Sequence, residues 1–89
     1  MKVLFTGKSW DHYRSWAEAD RTTLLRINML IEDCRRTPFS GLGKPEPLRG
    51  ELKGLWSRRI NEEDRLVYRV SGKGETQTIE LVACRYHYK

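Results

Sequence analysis

Leu55-Trp56-Ser57-Arg58-Arg59-Ile60-Asn61-Glu62-Glu63-Asp64-Arg65-Leu66-Val67-Tyr68-Arg69-Val70 is the stretch that decides the fold. Apolar positions recur at a period of two on both sides of a polar cluster, Asn61 to Asp64, which is the pattern of two strands joined by a short turn. Alternation puts Arg65, Val67 and Arg69 on one face and Leu66, Tyr68 and Val70 on the other. A second turn signal, Gly72-Lys73-Gly74, leads into another period-two run over residues 76–85. Three strands with such short connections form an antiparallel meander, and its apolar face needs a covering layer.

That layer lies upstream. Residues 2–6 read as a short first strand. Ser9 is expected to cap a helix carrying Trp10, Tyr13, Trp16 and Ala17 at spacings of three to four. Asp20 is expected to cap a second, with Leu24, Ile27, Leu30, Ile31 and Cys34 inward and Arg26, Glu32, Asp33 and Arg35 outward. The periodicity then stops. All three prolines (Pro38, Pro45, Pro47) and four glycines (Gly41, Gly43, Gly50, Gly54) fall between residues 37 and 54. This reads as a long loop, of a length that in small domains often carries function. The expectation is one α+β domain over residues 1–89: an N-terminal strand and two helices packed on an antiparallel sheet.

Composition narrows the function classes. With 38% hydrophobic and 33% charged residues the chain has the make-up of a folded globular domain. No apolar run approaches the roughly 20 residues of a bilayer span, and the N-terminus lacks a signal-peptide core. A cytoplasmic location is therefore expected, with no membrane partner. Seventeen Lys+Arg against twelve Asp+Glu leave a net charge of +5, which favours a polyanionic partner without choosing between nucleic acid and an acidic protein. Cys34 and Cys84 belong to no CxxC cluster and read as small buried hydrophobes. His12 and His87 have no companion ligands at metal spacing, and Gly41-Leu42-Gly43-Lys44 lacks the spacing of a phosphate loop. No metal and no cofactor are expected.

A metal-free ribonuclease set remains. RNA is cut without metal when a base takes the 2′-hydroxyl proton, an acid protonates the leaving 5′-oxygen, and cations stabilise charge on the phosphoryl oxygens. Glu46, bracketed by Pro45 and Pro47, is a carboxylate on restrained backbone. Arg58, Arg59, Arg65, Arg69 and Arg85 stand on predicted strands, rigid platforms for phosphate-binding guanidiniums. His87, between Tyr86 and Tyr88, is the candidate acid in a basic, aromatic tail suited to stacking on bases. Each has a plainer alternative: Glu46 and His87 as solvated surface, Arg65 paired with Glu62 or Glu63, Tyr68 in the core, Trp56 in the core or at an interface.

Five segments taken together resemble the YoeB toxins of bacterial toxin–antitoxin systems, within the wider RelE group of messenger-RNA interferases. They are Arg35-Arg36-Thr37-Pro38-Phe39, Gly43-Lys44-Pro45-Glu46-Pro47-Leu48, Leu55-Trp56-Ser57-Arg58-Arg59-Ile60, Glu63-Asp64-Arg65-Leu66-Val67-Tyr68 and Ala83-Cys84-Arg85-Tyr86-His87-Tyr88. The resemblance runs from Ser9-Trp10 to Tyr88. It implies a RelE-like, microbial-ribonuclease-like fold and a toxin that enters the ribosomal A site and cleaves mRNA there. Glu46 would be the general base, Arg65 the stabiliser of the pentavalent phosphate, His87 the general acid, and Tyr88 an orienting group. Lys44, Arg59 and Arg85 would bind RNA. Products would be a 2′,3′-cyclic or 3′-phosphate and a 5′-hydroxyl. Implied partners are the ribosome with its mRNA and a YefM-like antitoxin with an acidic segment. A homodimer, or a toxin–antitoxin heterotrimer or larger complex, is also implied, with operator DNA contacted through the antitoxin.

Three features depart from the family pattern: Lys89 follows Tyr88, the hairpin over residues 71–77 is long, and Gly7-Lys8 is less acidic than the family's counterpart. Two other classes compete with the ribonuclease: a non-catalytic basic translation inhibitor, and a partner-binding module in an operator-DNA complex.

Overall fold

Thr6 is where the first strand ends and the first helix begins. The computed structural model describes residues 1–86. In it β1 (Lys2–Phe5) runs into α1 (Gly7–Ala19). Extended backbone at Thr6 lets its side-chain oxygen accept from the Ser9 N–H at 3.1 Å. The cap is thus Thr6 and not Ser9. Ser9 is already inside the first turn, fully buried, its hydroxyl donating to the Thr6 carbonyl at 3.0 Å. Asp20 does cap α2 (Arg21–Arg36), accepting from the Thr23 hydroxyl at 2.8 Å and the Thr23 N–H at 3.1 Å. Those bonds hold its carboxyl below the usual range. The Asp20 N–H also closes the last turn of α1 on the Trp16 carbonyl, so one residue ends one helix and starts the next.

Four more strands follow: β2 (Glu46–Pro47), β3 (Trp56–Arg59), β4 (Arg65–Ser71) and β5 (Thr78–Ala83). They join β1 in one sheet of order β1-β5-β4-β3-β2. The meander β3-β4-β5 is antiparallel, as its spacing requires, and β1 adds to β5 in parallel, from Lys2 opposite Thr78 to Phe5 opposite Leu81. The stretch read as loop contains β2, with Glu46 opposite Ser57 and Pro47 opposite Trp56. Two residues are too few to show a period, and proline is tolerated there because β2 is an edge.

One apolar layer lies between the helices and the sheet. Trp16 from α1 and Ile27, Leu30 and Cys34 from α2 pack against Ile60, Leu66, Tyr68, Ile79, Leu81 and Cys84. Both cysteines are buried as expected; burial pushes their thiols up, that of Cys84 to about 12. Part of the α1 stripe overhangs this core. Trp10 and Ala17 are exposed, and Trp10 stacks on Tyr13 and meets Phe5 edge-on at the rim of β1. The pairing of β4 with β5 shifts register between Val67 and Tyr68, which face Ala83 and Leu81 and leave Val82 as the extra residue. Its carbonyl accepts from the Thr6 hydroxyl at 3.2 Å, tying the bulge to the start of α1.

Truncating Leu66 to Ala should cost about 2–5 kcal/mol by removing a fully buried side chain. Leu25→Ala, on the exposed side of α2, should stay within about 0.5 kcal/mol of the parent. Urea unfolding of both variants checks this, and equal losses would contradict the core assignment.

Candidate active site on the open sheet face

Register places the candidate residues more firmly than any single contact. Directly opposed residues of an antiparallel pair share a face. Glu46 faces Ser57, Ser57 faces Val67, and Val67 faces Ala83, so these four form one row across the sheet. Two residues along, Arg59 faces Arg65 on the same side. The opposite parity (Trp56, Leu66, Tyr68, Leu81) packs beneath the helices. Glu46, Arg59 and Arg65 therefore share the face that the helices do not cover, although the middle of its row, Ser57, Val67 and Ala83, is buried. From strand spacing and rise, the Cα atoms of Glu46 and Arg65 are about 12 Å apart, a separation that two side chains and a phosphodiester can span.

Glu46 and Arg59 are exposed and Arg65 is half-buried. The Arg65 guanidinium meets main-chain carbonyls of the turn instead of the Glu62 or Glu63 carboxylates. Its Nη1 donates to Asn61 O at 2.7 Å, Asp64 O at 3.0 Å and Glu62 O at 3.3 Å. The turn is held by the Asn61 side chain, whose Oδ1 accepts from the N–H groups of Glu63 and Asp64. Lys44 is exposed at φ +51° on the approach to Glu46. Arg58 is elsewhere: it shares the parity of Trp56 and Ile60, points to the helix side and is fully buried.

The chain leaving β5 is tied down on both sides. The Trp16 indole donates to the Cys84 carbonyl at 2.8 Å, and the Cys84 N–H donates to His12 Nδ1 at 3.2 Å. Arg85 lies against α1, its guanidinium 4.2 Å from the Trp16 ring centroid and 2.6 Å from the Ser15 hydroxyl. Tyr86 adopts φ +71°, an uncommon conformation for a bulky side chain. Its N–H donates to Asp64 Oδ1 at 2.7 Å, and its carbonyl accepts from the Arg65 N–H at 3.0 Å. The structure thus brings the last described residue against the base of Arg65. His87 and Tyr88, expected as acid and orienting group, lie outside the described residues. The tethers Ser15, Asp64 and His12 were missed from sequence, where only their polarity beside apolar stripes was visible. Among the described residues no three or more His, Cys, Asp or Glu side chains are grouped to hold a metal.

The model of the YoeB-like toxin of bacterial type II toxin–antitoxin systems matches residues 5–88. The chain belongs to the YoeB toxin family. Toxin YoeB of Escherichia coli K12 is 52% identical over 88 residues, covering 99% of this chain and 100% of that protein. Toxin YoeB of Streptomyces coelicolor is 50% identical over 88 residues, with the same coverage of both. Among solved structures, a YoeB/ParE toxin from Agrobacterium tumefaciens superposes with a TM-score of 0.94 at 53% identity, covering 99% of this chain and all of that one. A YoeB dimer from Staphylococcus aureus gives 0.87 at 35% identity, covering 99% and 98%. YafQ from E. coli, at 15% identity and a TM-score of 0.71, shares the fold. The YoeB family thus carries the helix-backed, largely antiparallel sheet described above.

In this YoeB-family chain His12 resists protonation. Burial lowers its pKa from the ordinary 6.5, and the charges of Lys8 and Arg85 lower it further against the pull of Asp11 and Asp64. The unfolded chain then takes up the proton first, so His12 contributes stability that is present above about pH 6.5 and lost as pH falls below it. Melting temperatures measured from about pH 7.5 to 5.5 should drop less steeply for His12→Asn, whose amide oxygen replaces the Nδ1 acceptor. Identical slopes would show that His12 protonation is not coupled to folding.

Proposed function

We propose that this chain is a ribosome-dependent, metal-free endoribonuclease that cleaves mRNA in the A site and so inhibits translation. The observation that carries the reading is the shared open face of Glu46, Arg59 and Arg65, with the Tyr86 main chain bonded to Arg65 one residue before His87. On that face the Glu46 carboxylate takes the proton from the 2′-hydroxyl, and the O2′ attacks the adjacent phosphorus. Arg65, fixed through Nη1 to the turn, holds the charge of the pentavalent state. His87 gives its proton to the departing 5′-oxygen, leaving a 2′,3′-cyclic phosphate and a 5′-hydroxyl. Tyr88 orients the scissile phosphate.

Lys44 and Arg59, both exposed, are the proposed RNA-backbone contacts. Arg85, seated over Trp16, contributes positive charge to the same end from a fixed position. The proposed partners are a YefM-like antitoxin, a second copy of the chain, and the ribosome. A heterotetrameric YoeB–YefM complex and a YoeB dimer, both from S. aureus, support the first two. Operator DNA would be reached through the antitoxin. A cytoplasmic site of action follows from a ribosomal target, and no described helix is long and apolar enough to cross a membrane.

Cleavage-site mapping on programmed ribosomes tests the assignment. Glu46→Ala and His87→Gln should each lower the cleavage rate by about 10²–10⁴-fold while ribosome binding persists. Wild-type cleavage should fall at both acidic and alkaline extremes, since one group must be ionised and the other protonated. Translation arrest with intact mRNA would instead identify a non-catalytic inhibitor.

A further inference from the structure

Every N–H of the Arg58 guanidinium has an acceptor. Nε donates to the Tyr68 hydroxyl at 3.2 Å; Nη1 donates to Asp33 Oδ2 at 2.7 Å and Leu42 O at 3.1 Å. Nη2 donates to Thr37 O at 2.6 Å and Ser40 O at 2.8 Å. Tyr68, having accepted from Arg58, donates its own proton to Pro38 O at 2.7 Å. Asp33 turns inward from the outward place its spacing suggested, and its Oδ2 also accepts the Leu42 N–H at 2.8 Å. Four carbonyls of the loop after α2 therefore converge on one buried cation and its tyrosine. Burial opposes the charge on Arg58, but its bonds with Tyr68 and Asp33 outweigh that and raise its pKa above the ordinary value. The Leu42 N–H and Arg58 together hold the Asp33 carboxyl below its usual range.

The clamped loop continues directly into the candidate site. Gly43 has φ +81°, and a Cβ there would lie 2.9 Å from Leu30 and 3.1 Å from both Arg58 and the Arg59 carbonyl. Its own carbonyl accepts from the Arg59 N–H at 2.6 Å. Lys44 and Pro45 follow, and then Glu46 in register with Ser57. No strand or helix spans residues 37–45, so the place of Glu46 depends on these contacts and on its short pairing with β3.

We infer that Arg58 is a positioning residue for the general base: through Asp33, Tyr68 and the carbonyls of residues 37–42 it sets where Lys44 and Glu46 stand on the open face. The inference rests on the ribonuclease reading above. Arg58 lies on the other side of the sheet from Glu46 and acts only through the loop. Lysine cannot replace it, because three donors on one nitrogen cannot span acceptors spread over a planar fork. A residue that only stabilised the fold would leave the folded variant's turnover intact. A positioning residue predicts loss of kcat at nearly constant KM, since a misplacement of about 1 Å costs on the order of 100-fold.

Single-turnover cleavage on programmed ribosomes, paired with amide hydrogen exchange, tests this in Arg58→Lys and in the milder Tyr68→Phe, which carries the test if Arg58→Lys does not fold. In folded variants the expected result is faster exchange over residues 40–46, unchanged protection in α2 and β4, and kcat reduced by about 10²-fold for Arg58→Lys and less for Tyr68→Phe. Wild-type kcat despite faster loop exchange, undisturbed loop exchange, or a rise in KM alone would overturn the inference. A wild-type protein that leaves mRNA intact, or a Glu46→Gln variant that cuts normally, would remove the ribonuclease reading itself.

Discussion

A fully buried guanidinium with all five donors satisfied is the constraint on which the rest depends. Removing such a cation from water is costly unless each N–H finds a partner, and a half-satisfied cluster would be worse than an apolar core. Arg58 reaches complete satisfaction only if the end of α2, the loop after it, β3 and β4 stand in one arrangement. In that arrangement an irregular segment rich in glycine and proline acquires a defined course. Hydrophobic burial between helices and sheet drives collapse, and the buried polar cluster selects which collapsed form persists.

The two faces of the sheet divide the work. Beneath the helices the side chains are apolar or, like Arg58 and Tyr68, fully engaged. On the other face the row Ser57, Val67, Ala83 is buried too, with the exposed Glu46 at one end and Arg59 and the half-buried Arg65 alongside. α1 reaches the site from its flank by holding Cys84 and Arg85. Glu46 and Arg65 are thus held by an edge strand and a central strand, and the described part of the segment leaving β5, Arg85 and Tyr86, is fixed by α1 and the β3–β4 turn.

Much of this was legible in the residues. Period-two alternation located β3, β4 and β5, and the helical spacing of Ile27, Leu30 and Cys34 identified the buried side of α2. Arg58 stands among the phosphate-binding strand arginines by residue type, yet its parity with Trp56 and Ile60 marks it as inward. Other features left no local trace. β2 exists because Ser57 and Trp56 lie beside it, and neither Glu46 nor Pro47 favours a strand. Asp33 is spaced to face water and turns inward only because a cation 25 positions later in the chain requires a carboxylate. Thr6, not Ser9, is the cap because its backbone is extended while Ser9 already lies in the helix; its hydroxyl also reaches the Val82 carbonyl. The family resemblance named Glu46 and Arg65 as a pair, and the register puts both on one face of the sheet.

The parallel seam between β1 and β5 has a consequence for the life of the molecule. Residues 2–5 gain a neighbouring strand only from residues 78–81, so the seam closes across most of the described chain. The row that ends at Ala83 and the tether at Tyr86 draw on the same distant segment, so the sheet is built mainly from contacts far apart in the chain, a topology that slows folding.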